Sequence, residues 1–140
     1  MSGETADRTN AMRRLEACGA SYTPLTVPLD GTDAVSAVEA ARLLRRGTDE
    51  VFKTLVTVGR SREHYVFVVP GGRELDLRKA ARAVGEKSVE MVRSKELLPL
   101  TGYVHGGCSP VGMKKTFRTV VDASAEGLAT IIVSAGKIGR

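Results

Sequence analysis

Two β-branched runs, Val51 to Val58 and Tyr65 to Val69, lie either side of the short polar segment Gly59-Arg60-Ser61-Arg62-Glu63. That spacing predicts an antiparallel hairpin, because a turn this short leaves no room for the crossover that parallel neighbours require. Around the hairpin, helical and strand patterns alternate. Thr9 is placed as an N-cap, Met12, Leu15 and Cys18 recur at helical spacing, and Gly19 ends the helix. Asp33 or Ser36 caps a second helix that carries Val38, Ala41 and Leu44 and stops at Gly47. Asp76 caps a third, running through Val84 to Gly85, and Ser94 caps a short one from Lys95 to Leu100. Further strands are expected at Ser21 to Val27, Ser88 to Val92, Thr119 to Asp122 and Thr130 to Ser134. An obligate antiparallel hairpin among mixed elements indicates a single mixed α/β domain, not a doubly wound parallel fold.

Length agrees. The chain has 140 residues, 42% of them hydrophobic, which supports one ordinary core. Residues 1–8 read as a loose polar tail and residues 9–140 as the domain. The acidic, polar start is not a signal peptide, and no apolar run approaches the ~20 residues of a membrane helix. Cys18 and Cys108, far apart, read as reduced thiols of a cytoplasmic protein. His64 and His105 stand alone, without Cys/His spacing for a metal. Twenty-one Lys and Arg against 16 Asp and Glu give a net charge of +5, compatible with a polyanionic partner. Aromatic residues are only 4%, too few for a base-stacking platform, so any nucleic-acid contact is local and phosphate-led or made to one terminal nucleotide. The G-x-G-x-x-G and Walker A patterns are absent, which argues against dinucleotide enzymes and NTPases.

One segment has a composition that no core needs. Gly106-Gly107-Cys108-Ser109-Pro110-Val111-Gly112-Met113-Lys114-Lys115 combines three glycines, a serine and a proline with two lysines. Glycines let a backbone bend sharply or approach a ligand, and free N–H groups there suit an anion or a developing oxyanion. Gly-Gly and Ser-Pro are also ordinary turn punctuation. Within the loop Cys108 reads as a small buried thiol, and Ser109 as a hydrogen-bond donor lacking the base a nucleophile needs. His105 is a strand-end histidine that adjoins the loop. Lys53, inside an apolar strand, shares a face with Val51 and Leu55. It is either an edge-strand lysine that blocks sheet pairing or the floor of an anion pocket. The tail segment Ser134-Ala135-Gly136-Lys137 again sets small residues beside a cation.

Together these residues resemble the YbaK-type aminoacyl-tRNA deacylases, a family related to the editing domain inserted in bacterial prolyl-tRNA synthetases. The matching segments are Thr9 to Arg13, Val51 to Leu55, Leu75 to Lys79, Val89 to Val92, Thr101 through Lys115, and Val133 to Lys137, in the family's order. The resemblance implies a mixed, partly antiparallel, barrel-like sheet flanked by helices. It implies hydrolysis of the ester that joins a wrong amino acid, cysteine or one of similar size, to the 3′ ribose of tRNA. It makes Lys53 the key functional residue, with Gly106 and Gly107 contributing backbone donors. Thr54, Cys108, Ser109, Pro110, Ser134, Ala135 and Gly136 are then expected along the pocket. Neither metal nor cofactor is implied. The partners implied are the aminoacylated tRNA 3′ end and, as a candidate, prolyl-tRNA synthetase. Val27 stands where family members often carry a tyrosine of the pocket, which bears on amino-acid preference.

Two other classes compete with this reading. One is a non-catalytic module that binds a tRNA end or docks on a synthetase through Arg42, Arg45, Arg46, Arg60 and Arg62, which read equally well as a solvated face. The other is a small-molecule hydrolase with no RNA partner.

Overall fold

The hairpin forms as expected and sits at the centre of a mixed four-stranded sheet. In this computed structural model the described residues are 8–28 and 35–138. The helices are α1 (Asn10–Ala17), α2 (Ala37–Leu44), α3 (Leu77–Val84) and α4 (Ser94–Thr101). The strands are β1 (Phe52–Gly59), β2 (His64–Pro70), β3 (Val89–Met91) and β4 (Arg118–Val121), followed by a short 3₁₀ turn, Ala123–Gly127. Sheet order is β3-β1-β2-β4. β1 and β2 are antiparallel from Phe52↔Pro70 to Val58↔His64; β3 adds antiparallel to the end of β1, and β4 adds parallel to β2.

Local signals place the helix ends. The Thr9 hydroxyl accepts from Met12 N–H at 3.2 Å, the Ser36 hydroxyl accepts from Glu39 N–H at 3.1 Å, and the Asp76 carboxylate accepts from Arg78 and Lys79 N–H. Asp33, the other candidate cap for α2, lies outside the described residues. α2 ends at Leu44, earlier than Gly47, because Arg45 itself adopts the left-handed cap conformation (φ 57°). Ser94 is the first residue of α4 and not its cap; Arg93 takes that position without a side-chain bond.

The sheet is open, which corrects the barrel-like expectation. Four strands, of which β3 has three residues and β4 four, are too few to close a cylinder. Two expected strands are missing. Residues 21–28 run without ladder bonds, since Pro24 and Pro28 lack donors. Residues 130–134 contribute a single parallel bridge, Val51↔Ile132.

Strand register sorts the side chains onto two faces. Phe52 and Val56, with Val66 and Val68, pack against Leu97, Tyr103 and Cys108. Tyr65, Phe67 and Val69 pack against Ala80, Ala81 and Val84 of α3, with Val89. Each large apolar side chain fully removed from water stabilises by about 1.5–3 kcal/mol, so both layers are needed. The buried Thr57 hydroxyl donates to Tyr65 O at 3.1 Å and so costs little.

Candidate active site

A cleft of about 1080 Å³ opens along the outer edge of β1. Its walls come from α1, residues 21–27, α2, the segment Met91 to Leu97, the glycine loop and residues 130–135. Lys53, Thr54, Gly106, Cys108, Ser109, Ser134 and Ala135 all line it. Val27 lines it as well, at the position singled out above. Gly107, Pro110 and Gly136 are not among its lining residues.

The cleft exists because one stretch of β1 is unpartnered. Phe52 N–H donates to Ile132 O at 2.8 Å, and Val56 O accepts from Val92 N–H at 3.1 Å. Both groups point to the edge facing away from β2, and strand alternation sends the N–H and C=O of Thr54 to the same edge. No described backbone group pairs with them. The Thr54 hydroxyl adds to this: Oγ1 is buried and has no hydrogen-bond partner. Thr54 shares its face with Phe52 and Val56, toward Cys108, whereas Lys53 shares the face of Leu55 and Val69. Lys53 is half-buried, and its ammonium makes no ion pair among the described residues. β1 lies between β3 and β2, so Lys53 is not on an outermost strand; it borders a local gap.

The glycine loop is pinned at both ends. The Thr101 hydroxyl donates to Leu97 O at 2.8 Å and accepts from Tyr103 N–H at 3.0 Å, while Lys114 N–H returns to Thr101 O at 2.9 Å. The Tyr103 hydroxyl donates to Val111 O at 2.7 Å, bracing the loop across its width. Ser109 is buried, and its Oγ accepts from Val111 N–H at 3.2 Å.

Two glycines let the loop and the tail pack closely, Gly107 against the tail's backbone and Gly136 against the Tyr103 ring. A Cβ on Gly107 would sit 2.9 Å from Ile138 N and 3.0 Å from Lys137 C. Gly136 has φ +95°, and a Cβ there would fall 2.4 Å from Cε1 of Tyr103. Ser134 Oγ accepts from Gly136 N–H at 3.2 Å and shapes the same turn. This packing revises the part expected of Gly107. Its N–H is occupied by Val104 O at 3.0 Å, so it is not free to face an anion. The N–H groups of Gly106 (φ +84°) and Cys108 carry no such bond.

Charge in the cleft is one-sided. Arg46, Lys53 and Arg93 line it, and no Asp or Glu does among the described residues. Lys114 and Lys115 are exposed and outside it; the Lys114 stem covers Gly102 instead. Cys108 belongs both to this wall and to the core cluster, and burial pushes its thiol up to about 11. A thiol that high is protonated near neutral pH, which makes it inert as a nucleophile. Burial, then the neighbouring Cys108, also raises Tyr103.

Sequence reasoning did not place Arg46 or Arg93 in the cleft, and of the wall of residues 21–27 it singled out Val27 alone. No motif marks the two arginines; only tertiary packing brings them to the Lys53 edge.

Comparison with known proteins shows what the chain as a whole is similar to. A sequence model of the "Aminoacyl-tRNA editing domain" matches residues 32–140. The chain is 46% identical, over 97% of its length and 82% of the relative's, to the "Putative Cys-tRNA(Pro)/Cys-tRNA(Cys) deacylase EbsC" of Enterococcus faecalis. It is 29% identical, over 75% of its length, to a proline–tRNA ligase of Pelobacter propionicus, of which it spans 18%. Its fold superposes with TM-score 0.79 and 28% identity on the crystal structure of "a putative trans-editing enzyme for prolyl tRNA synthetase", covering 93% of this chain and 80% of that one.

Proposed function

This chain belongs to the aminoacyl-tRNA editing family, and from that premise we propose that it removes wrongly attached cysteine, or a similar small amino acid, from tRNA charged for proline. The observation that carries the reading is the convergence of Lys53, Thr54 and the glycine loop on one carboxylate-free cleft. Such a hydrolase answers a physical limit. A synthetase pocket discriminates a missing methylene by only ~1–3 kcal/mol, so a second site must destroy the wrong product.

The chemistry asks little of the protein, because the aminoacyl ester is already activated. Lys53 holds a phosphate or ribose oxygen of the terminal nucleotide. Water adds to the ester carbon, charge gathers on the carbonyl oxygen, and the bond to the ribose breaks as that ribose oxygen takes up a proton. The N–H groups of Gly106 and Cys108 are free to receive the oxyanion, and a preorganised donor of this kind is worth ~3 kcal/mol. The main-chain carbonyl of Thr54 suits the substrate's α-ammonium. Its hydroxyl reaches the cleft by a rotation of about 120° between staggered χ1 wells. A neighbouring ribose hydroxyl of the substrate orients the water; with cysteine as cargo, its own thiol can attack the ester carbon instead, closing a cyclic thioester as the ribose oxygen leaves with the thiol's proton, and water then opens that ring to free cysteine. Cys108 stays a protonated wall residue. The compartment of this activity is the cytoplasm, where charged tRNA is used, and prolyl-tRNA synthetase is the candidate partner that presents the charged tRNA.

The test is a deacylation panel: several mischarged tRNAs, with and without prolyl-tRNA synthetase, for wild type and Lys53→Ala. Release of cysteine from proline tRNA, lost by at least tenfold in Lys53→Ala, is expected. Wild-type rates in that variant, or no release from any charged tRNA, overturn the proposal.

A further inference from the structure

Three cations are strung along the open edge of β1. Arg46 follows the left-handed turn at Arg45, where its N–H caps α2 on Ala41 O at 2.9 Å, and it stands at the Glu50 end of the strand. Lys53 occupies the middle. Arg93 follows Val92, whose N–H is held by Val56 O, and so marks the far end. From Phe52 to Val56 the strand covers roughly 13 Å at about 3.3 Å per residue, and Arg46 lies beyond its start. That is longer than a single nucleotide.

The three are poorly neutralised. Arg46 approaches Glu50 only at 3.7 Å, and the side chains of Lys53 and Arg93 make no ion pair among the described residues. Their stretch of the cleft contains no carboxylate among the described residues. Between them lies the unpaired main chain of Thr54. Such an edge offers positive charge at intervals, while the aromatic rings that line the cleft among the described residues, Tyr22, Phe52 and His105, are too few to stack a row of bases, which is the pattern of phosphate-led contact to a single strand.

We propose that Arg46 and Arg93 are phosphate-positioning residues that lay the single-stranded 3′ terminus of tRNA along the β1 edge, with Lys53 between them at the terminal nucleotide. The inference rests on the reading that a charged 3′ end enters this cleft, and adds its path and a sequence-independent mode of recognition. Contacts to phosphate position the strand without reading its bases. Each guanidinium that leaves a phosphate removes one released counterion from the binding equilibrium.

The experiment uses binding of uncharged tRNA, measured by fluorescence anisotropy over a salt series, so that no ester hydrolysis is involved. Two RNAs are compared: intact tRNA, and the same tRNA lacking its three terminal nucleotides. For intact tRNA, Arg46→Gln and Arg93→Gln are each expected to make the slope of log affinity against log salt shallower by about 0.7, and the double variant by about 1.4. Arg60→Gln, in the hairpin turn outside the cleft, keeps the wild-type slope. For truncated tRNA, wild type and the cleft variants share one slope. Unchanged slopes on intact tRNA overturn the proposal, as does an equal loss on truncated tRNA, which would place the arginines on the body of the tRNA. All variants alter exposed side chains, and unchanged thermal melting confirms that they fold. Failure of the two readings is distinguishable. The expected slopes with no deacylation of any charged tRNA sink the hydrolase alone; deacylation with unmoved slopes sinks the path alone.

Discussion

Replacing Thr54 by valine is expected to stabilise this protein while impairing it. The Oγ1 atom is buried and without a partner. A desolvated hydroxyl in that state costs about 1–3 kcal/mol. Valine keeps the β-branched shape and strand preference of threonine and puts a methyl where the orphan sits. At the low end of that range, a domain of this size gains roughly 4 °C in Tm per kcal/mol. Calorimetry or a urea melt measures it, and the urea slope should stay constant while the midpoint rises. Activity moves the other way. If the hydroxyl meets the aminoacyl group only in the bound state, its loss lowers kcat/KM by about tenfold, the equivalent of ~1.4 kcal/mol. Thr54→Ser separates the two effects: it keeps the hydroxyl and the activity but loses a methyl, so its Tm falls. A valine variant that melts several degrees below wild type refutes the reasoning, because the hydroxyl then has a partner in the free protein. A stabilised variant with full activity refutes only the proposed contact with substrate.

Other outcomes follow from the same geometry. Gly136→Ala places a Cβ against the Tyr103 ring at positive φ; a loss of ~1–3 kcal/mol in chemical denaturation is expected, with loosening of the tail at the cleft wall. At pH 8, a thiol reagent should label exposed Cys18 quickly and buried Cys108 only on unfolding, so two fast equivalents would contradict the raised thiol. Cys108→Ala retains deacylation if that thiol is only wall. Alkaline stability carries a defined sign. Cys108 is raised to about 11 by burial, and Tyr65 to about 12, chiefly by its hydrogen bond to Glu86. Each folded-state pKa lies above the unfolded value, so stability is full below about pH 9 and falls as pH rises toward 12. A melting temperature flat from pH 9 to 12 would contradict this. Glu86, held low first by the Ser61 hydroxyl and then by Tyr65, acts in the opposite direction. Its contribution is present above the usual carboxylate range and is lost as pH falls through its depressed value. Glu86→Gln should therefore flatten the acid limb of a Tm–pH curve.

What was written in the sequence is what nearest neighbours decide. Caps at Thr9 and Asp76, Ser36 as one of two candidates for α2, stops at Gly19 and Gly85, and the β1–β2 hairpin were all legible, because each depends on a few adjacent residues and their backbone preferences. The glycine loop stood out because its composition is not a core's, whereas Lys53 and Thr54 were assigned to a pocket only through the family resemblance; spacing alone left Lys53 either an edge-strand lysine or a pocket floor. Tertiary structure decided the rest. Whether residues 21–27 and 130–134 became strands depended on partners far along the chain, and periodicity does not specify a partner. Their failure to pair fully leaves the sheet open and β1 with a bare edge at Thr54. Gly107 looked like a donor to an anion; in three dimensions its N–H closes a turn, and its missing side chain admits the tail. Arg93 carried no signal, and Arg46 entered only as one of several arginines of a docking or solvated face, since a charge acquires meaning only from what the fold sets beside it. Short-range backbone preference gave this protein its elements, and non-local pairing, left incomplete along one strand edge, gave it a cleft.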